Sequence, residues 1–147
     1  RRAVPAGGLR APSVEIVYAE EPGLAGEAFV DLLRRSTLAE RRPVDEPGRI
    51  ADMLRHADIV LTARDEGRLV GVARAITDFS YSCYLSDLAV DAAWQRRGIG
   101  RELVRLTHAA AGPETGLLLL SAPAAMDYYR HIGLQPVANG WTIARTH

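Results

Sequence analysis

The chain has 147 residues with 48% hydrophobic and 24% charged content, the balance of one ordinary globular domain with a single core, which favours neither a disordered nor a membrane-embedded class. Formal net charge is zero, eighteen basic residues (all arginine) against eighteen acidic ones, which argues against a general nucleic-acid surface. One cysteine, Cys83, excludes an intramolecular disulfide and a cysteine metal cluster, and fits a reducing, cytoplasmic setting.

Residues 1–13 are Pro- and Gly-rich, with Arg1-Arg2 but no hydrophobic stretch behind them, and are expected to be a flexible or processed tail rather than a secretory signal. Residues 14–147 are expected to form a single domain. No apolar run approaches the roughly 20 residues needed to cross a bilayer. Residues 14–18 alternate at period two, as a half-buried strand does. Pro22-Gly23 breaks it, and Ala25, Phe29, Leu32 and Leu33 recur at helical spacing through about Ser36. After a polar connector at 41–45, Ile50, Met53, Leu54 and Ala57 define a second amphipathic helix, with Asp45 and Pro47 as start signals.

Strands at 59–63 and 69–76 flank the hairpin signal Asp65-Glu66-Gly67, and a third runs from 81 to 90. Ile99, Leu103, Leu106 and Ala110 give the next helix its apolar stripe, ended by Gly112-Pro113. Four consecutive leucines at 117–120 suit a central strand buried on both faces. Pro123 opens a helix bearing Ala125, Tyr128, Tyr129 and Ile132, and Gly133 is placed to cap it. Last, Asn139-Gly140 is a two-residue turn signal between strands at 134–137 and 141–144. The expected architecture is a mixed α/β sheet in the order strand, helix, helix, three strands, helix, strand, helix, two strands.

Between the strand that ends at Val90 and the helix near Arg101 lies Gln95-Arg96-Arg97-Gly98-Ile99-Gly100. Two glycines let backbone N–H groups approach an anion with no Cβ in the way, just where a helix begins. The helix end adds about half a positive charge, and Arg96, Arg97 and Arg101 add full ones. A pyrophosphate suits such a loop. Rival phosphate motifs fit less well: Leu103 stands where a dinucleotide fingerprint needs its third glycine, and the chain has no Gly-Lys-Ser/Thr for a P-loop.

The pattern Gln/Arg-x-x-Gly-x-Gly/Ala after such a strand resembles the acyl-CoA signature of the GNAT superfamily of N-acetyltransferases, and the element order resembles their fold. The resemblance covers residues 14–145. It implies that Gln95, Arg96, Arg97, Gly98, Ile99, Gly100 and Arg101 bind the cofactor's phosphates. Leu88-Ala89-Val90 matches the strand whose backbone pairs with the pantetheine arm, with residues 117–121 as the splayed partner strand. A backbone N–H near Leu88 would then point at the thioester oxygen. Ala125-Met126-Asp127-Tyr128-Tyr129-Arg130-His131-Ile132-Gly133-Leu134 matches the family segment Ala-x-x-Phe-Tyr-x-x-x-Gly-Phe. Tyr129 takes the position of the tyrosine that protonates the departing CoA sulfur, and Tyr128 reads as core. The chain departs from the family at Ala122, where Asn is common, and at Leu134, where Phe is.

The resemblance implies acetyl-CoA as cosubstrate and an amine acceptor, either a small molecule or a protein N-terminus or side chain. It allows a homodimer. Asp87 is the acidic residue nearest the expected reaction centre, and so the candidate base for the acceptor ammonium, with a structural aspartate as the bland alternative. Period-two alternation puts Tyr84 and Ser86 on the face opposite Asp87. Cys83 reads as a small core residue, Arg34-Arg35 and Arg41-Arg42 as solvated faces, and Trp94 as packing at the mouth of the phosphate loop. His56, His108, His131 and His147 lack ligand spacing, so no metal site is expected. A non-catalytic acyl-CoA-binding module on the same fold, or a protein-interaction domain, is the competing reading.

Overall fold

In the computed structural model, which describes residues 15–147, five strands form one sheet in the spatial order β1-β2-β3-β4-β5. The strands are β1 (Ile16–Glu20), β2 (Ile59–Asp65), β3 (Arg68–Thr77), β4 (Ser82–Val90) and β5 (Gly116–Leu118). The first four pair antiparallel, and β5 joins β4 in parallel. The expected tail at 1–13, and Val14, lie outside the described residues. The β2–β3 turn is the one signalled in the sequence: Glu66 and Gly67 have φ of 48° and 84°, the pair of positive values that a two-residue hairpin matching strand twist requires.

Helices cover both faces. On one side α1 (Gly26–Ser36) and α2 (Pro47–Arg55) bury Phe29, Leu32, Leu33, Ile50 and Leu54 against Val60, Leu69, Val72 and Ala89 of the sheet. Each such side chain contributes about 1.5–3 kcal/mol by leaving water. Pro47 opens α2 at a position where its missing N–H is harmless. On the other side α3 (Ile99–Ala111) buries Ile99, Leu103, Val104, Thr107 and Ala111. The expected stripe was rotated slightly, since Leu106 and Ala110 are only partly buried. A short α4 (Met126–His131) follows.

Gly71, on β3, is where α3 comes closest to the sheet. A Cβ there would stand 3.0 Å from side-chain carbons of both Ile99 and Leu103, and 3.2 Å from Ala63. Gly71→Ala is therefore expected to destabilise the domain by about 1–3 kcal/mol through overpacking. Urea unfolding checks this, and an unchanged midpoint would mean that α3 can slide away from the sheet at no cost.

Two expectations are corrected. Residues 117–120 do not form a central strand. β5 has three residues at the sheet edge, and Leu118 and Leu120 are 46% and 68% exposed, while Leu117 and Leu119 pack toward α3. Nor do residues 134–137 and 141–144 form strands, and Trp141 and Ile143 are almost fully exposed. Pro136 withholds one ladder donor, and a lone two-stranded hairpin buries too little apolar area to hold itself together. Without those strands β5 has no second neighbour. Through α4 the element order is the expected one, and the mixed α/β class stands.

Candidate active site

The site begins where two parallel strands part. β4 and β5 are in register for three residues, Ser82 with Gly116, Cys83 with Leu117 and Tyr84 with Leu118, and then they separate. The resulting cleft, of about 1040 Å³, runs between the rest of β4 and residues 119–125. The 95–101 loop lines it beside Val90, the segment between α1 and α2 lines it beside Ser86, and Tyr128 and Tyr129 of α4 reach it as well.

Backbone direction along β4 follows from its hydrogen bonds. The Asp91 N–H donates to Val70 O on β3, so alternate residues back along the strand face β3 and those between face the cleft. The carbonyls of Ser86 and Val90 accordingly turn away from β3. They accept from the Arg42 side chain (2.9 Å) and the Gln95 amide (3.2 Å). Leu88, two residues from each, shares their orientation. Its main chain faces the cleft, an orientation in which an extended ligand could pair with it.

A bulge at Ser86 upsets simple alternation. Arg74 is paired with Asp87 and Ala75 with Leu85, so Ser86 is the extra residue. Leu85 consequently packs in the α3-side core, whereas Asp87 meets Arg74, whose guanidinium donates to the Met53 carbonyl of α2. Period-two counting across this point, used above to place Tyr84 and Ser86 opposite Asp87, fails. Asp87 itself is fully buried, with one oxygen bonded to Arg42 Nε and the other to Arg74 Nε. Arg74 also donates to the Ser86 hydroxyl at 2.9 Å. The carboxylate expected to serve as base thus has both oxygens engaged and no face on the cleft.

The glycine loop is built from local chemistry. Asp91 accepts from the Ala93 N–H at 2.9 Å and caps the turn Ala92–Trp94. Its other oxygen binds Arg35, which also donates to the Leu69 carbonyl and so ties α1 to the loop. Arg35 is therefore structural, whereas Arg34, in a 3.6 Å pair with Asp45, is exposed as expected. Burial opposes ionisation of Asp91, but the Ala93 N–H and Arg35 outweigh it and hold the carboxyl below its usual range. Trp94 stands at the loop mouth, its indole N–H donating to Asp65 and its ring within 5.4 and 5.8 Å of the guanidinium groups of Arg68 and Arg97. Arg97 thereby leaves the cleft lining, while Gln95, Arg96, Gly98, Ile99, Gly100 and Arg101 stay on it. Gly98 caps α3 at φ 80°, and a Cβ there would meet nothing within 4 Å, so the space before the helix end is open.

Both tyrosines matter. They stack edge to face, centroids 5.2 Å apart. Tyr129 is largely buried, and that burial, with Tyr128 adding to it and Arg42 opposing, pushes its phenol up to about 12. Tyr128 is not the core residue expected. It is 40% exposed, and its hydroxyl lies against the first turn of α3, where a Cβ on Gly100 would collide with it. Burial raises its phenol as well, opposed by the Arg101 N–H. Sequence reasoning also missed Arg42, which lines the cleft instead of a solvated face. Adjacent arginines in a polar connector gave no signal that one of them would meet a buried aspartate. Among the described residues, no three His, Cys, Asp or Glu side chains gather in a way that could hold a metal ion, and no helix is long and apolar enough to cross a membrane.

Residues 56–136, more than half of the chain, match the family described as acetyltransferase (GNAT) domain. The chain is 30% identical over 79 residues to GCN5-related N-acetyltransferase 2, chloroplastic, of Arabidopsis thaliana, a match over 52% of this chain and 31% of that protein. It spans about a third of the length of the curated relatives it matches. Among solved structures, a GNAT-family acetyltransferase of Streptococcus pneumoniae TIGR4 superposes with a TM-score of 0.67 at 19% identity, covering 90% of this chain and 99% of its own. Aminoglycoside N-acetyltransferase AAC(6')-Iy, solved in complex with CoA, superposes with 0.69 at 16% identity over 99% and 100%. At these identities the likeness is one of fold. The match across 56–136 takes in the splayed strand, the glycine loop and both tyrosines, and by it the chain belongs to the GNAT acetyltransferase family.

Proposed function

We propose that the chain is an acetyl-CoA-dependent N-acetyltransferase in which an amine attacks the thioester directly, with both substrates bound together. The observation that carries this reading is the parting of β4 from β5 after Tyr84. It leaves the Leu88 main chain facing a cleft that also takes in the Gly98 loop and Tyr129. Acetyl-CoA supplies the activated acyl group, and its phosphates fit the open space before α3, beside Arg96 and Arg101. The exposed edge of β4 holds the pantetheine arm as an added strand. The Leu88 N–H stabilises charge that develops on the carbonyl oxygen. Tyr129 keeps its proton at neutral pH and donates a hydrogen bond to the departing sulfur. Holding amine and thioester in one cleft removes much of the entropic cost of their encounter. Asp87 acts as the residue that positions Arg42 rather than as a base, which leaves water to take the ammonium proton.

Thiol release from acetyl-CoA in the presence of a broad amine panel, with calorimetric titration of acetyl-CoA, tests this. Acceptor-dependent release and saturable binding are expected. Gly98→Val, which forces a β-branched residue into the left-handed region, should weaken acetyl-CoA binding by at least about tenfold. Tight binding without acceptor-dependent release would instead make the chain an acyl-CoA-binding module. Unchanged affinity in Gly98→Val would remove the loop from the binding site.

A further inference from the structure

The acceptor is left open by that reading, and the charge on the cleft wall bears on it. Asp87 is one carboxylate between two guanidinium groups. Arg74, with its side chain 7% exposed, is interior, so Arg74 and Asp87 cancel within the protein. Arg42, 21% exposed, is the guanidinium that reaches the cleft, and no second carboxylate meets it among the described residues. One full positive charge is therefore uncompensated at that wall.

Arg42 is also held still. Its Nε is bound to Asp87, and its two terminal nitrogens donate to the carbonyls of Arg41 (2.8 Å) and Ser86 (2.9 Å). Those bonds use three of the five N–H groups of a guanidinium, leaving two for a ligand. Arg41 lines the cleft as well. Glu40 is the only acidic side chain among the described residues of the lining, against Arg41, Arg42, Arg96 and Arg101. With Arg96 and Arg101 assigned to phosphate, the acceptor end retains two cations and one anion. A polycationic acceptor meets net repulsion there. A carboxylate meets a held guanidinium with two N–H groups unspent.

We propose that the acceptor is an amine that also carries a carboxylate, and that the carboxylate docks on Arg42, which Asp87 and the Ser86 carbonyl hold in place. This rests on the N-acetyltransferase reading. It makes Arg42 a specificity residue and Asp87 its positioning residue.

The test measures thiol release from acetyl-CoA with amino acids, with their less basic carboxamides compared at equal concentration of neutral amine, and with spermidine. It compares the unaltered chain with Arg42→Gln and Arg42→Lys. Carboxylates should exceed carboxamides in kcat/KM by roughly ten- to a hundredfold, mainly through KM. Arg42→Gln should erase that ratio, and Arg42→Lys, which keeps the charge and guards against a folding failure of Gln, should retain part of it. Carboxamides or spermidine used as well as carboxylates would overturn the proposal and leave the transferase reading intact. So would a ratio that survives in Arg42→Gln. If no amine is acetylated, the transferase reading fails, and calorimetry of the CoA-bound protein with the same acids decides the rest. Binding that Arg42→Lys weakens would sustain the anion site, and no binding would overturn it.

Discussion

Tyr129→Phe should lower kcat by about 10²-fold and leave acetyl-CoA affinity within roughly a factor of two, because in the proposed reaction the phenol would meet the leaving sulfur only as it departs. Burial pushes this phenol up to about 12, whereas a free thiol titrates near about 8.5. The phenol is thus the weaker acid, and complete proton transfer from Tyr129 to a thiolate would run uphill. On the proposed reading Tyr129 would therefore serve by donating a hydrogen bond to the developing charge, with water completing the protonation. Arg42 opposes the upward push and strengthens the phenol as a donor. Two measurements check this. The kcat of the Phe variant at neutral pH should fall as stated, and an unchanged value would remove Tyr129 from the reaction. The pH profile of the unaltered chain should show no falling limb from Tyr129 below about pH 10, since the group keeps its proton until its raised pKa is approached. A limb near pH 9 that disappears in Tyr129→Phe would mean a phenol that titrates far lower and transfers its proton outright.

What could be read ahead of the structure was local. The Glu66-Gly67 turn, the Pro47 start of α2 and the glycine loop ahead of α3 each depend on a few adjacent residues and their allowed dihedrals, and the sequence carries those directly. The same holds for the heptad-like burial of α1. Tyr129 was placed by resemblance, as was the parting of the strands. The remainder depended on contacts between distant segments. Arg42 and Asp87 are 45 positions apart, and nothing near either one names the other. The bulge at Ser86 has no residue signature, yet it alone decides that Asp87 faces α2 and Leu85 faces α3. Tyr128 resembled a core aromatic because helical spacing reports burial and says nothing of a hydroxyl that meets the first turn of the preceding helix. The four leucines after Gly116 show the opposite failure. An apolar run records what a segment tolerates, and only its neighbours determine whether both faces are covered.

Asp87→Asn should destabilise the domain by about 3–5 kcal/mol, enough to lower Tm by roughly 10 °C or more. Removing one charge here leaves two guanidinium groups facing a neutral amide in a buried setting, and the Asn NH₂ can only add a further donor to a place that needs acceptors. A catalytic base would behave differently. Asn would preserve the fold, and the rate ratio of the unaltered chain to the variant would grow with the basicity of the acceptor, since only protonated amines need the base. For a positioning residue, thermal stability falls and the rate ratio stays flat across amine basicity. Part of the loss should appear as a raised KM for carboxylate-bearing acceptors, because Arg42 loses its anchor. A double variant separates the charge effect from lost shape. Adding Arg42→Gln to Asp87→Asn removes one of the two opposed cations, so the pair should be less destabilised than the sum of the single variants, by about 1–3 kcal/mol. Strict additivity would mean that Arg42 and Asp87 do not share a charge network, and a rate ratio that climbs with amine basicity would return Asp87 to the proton path.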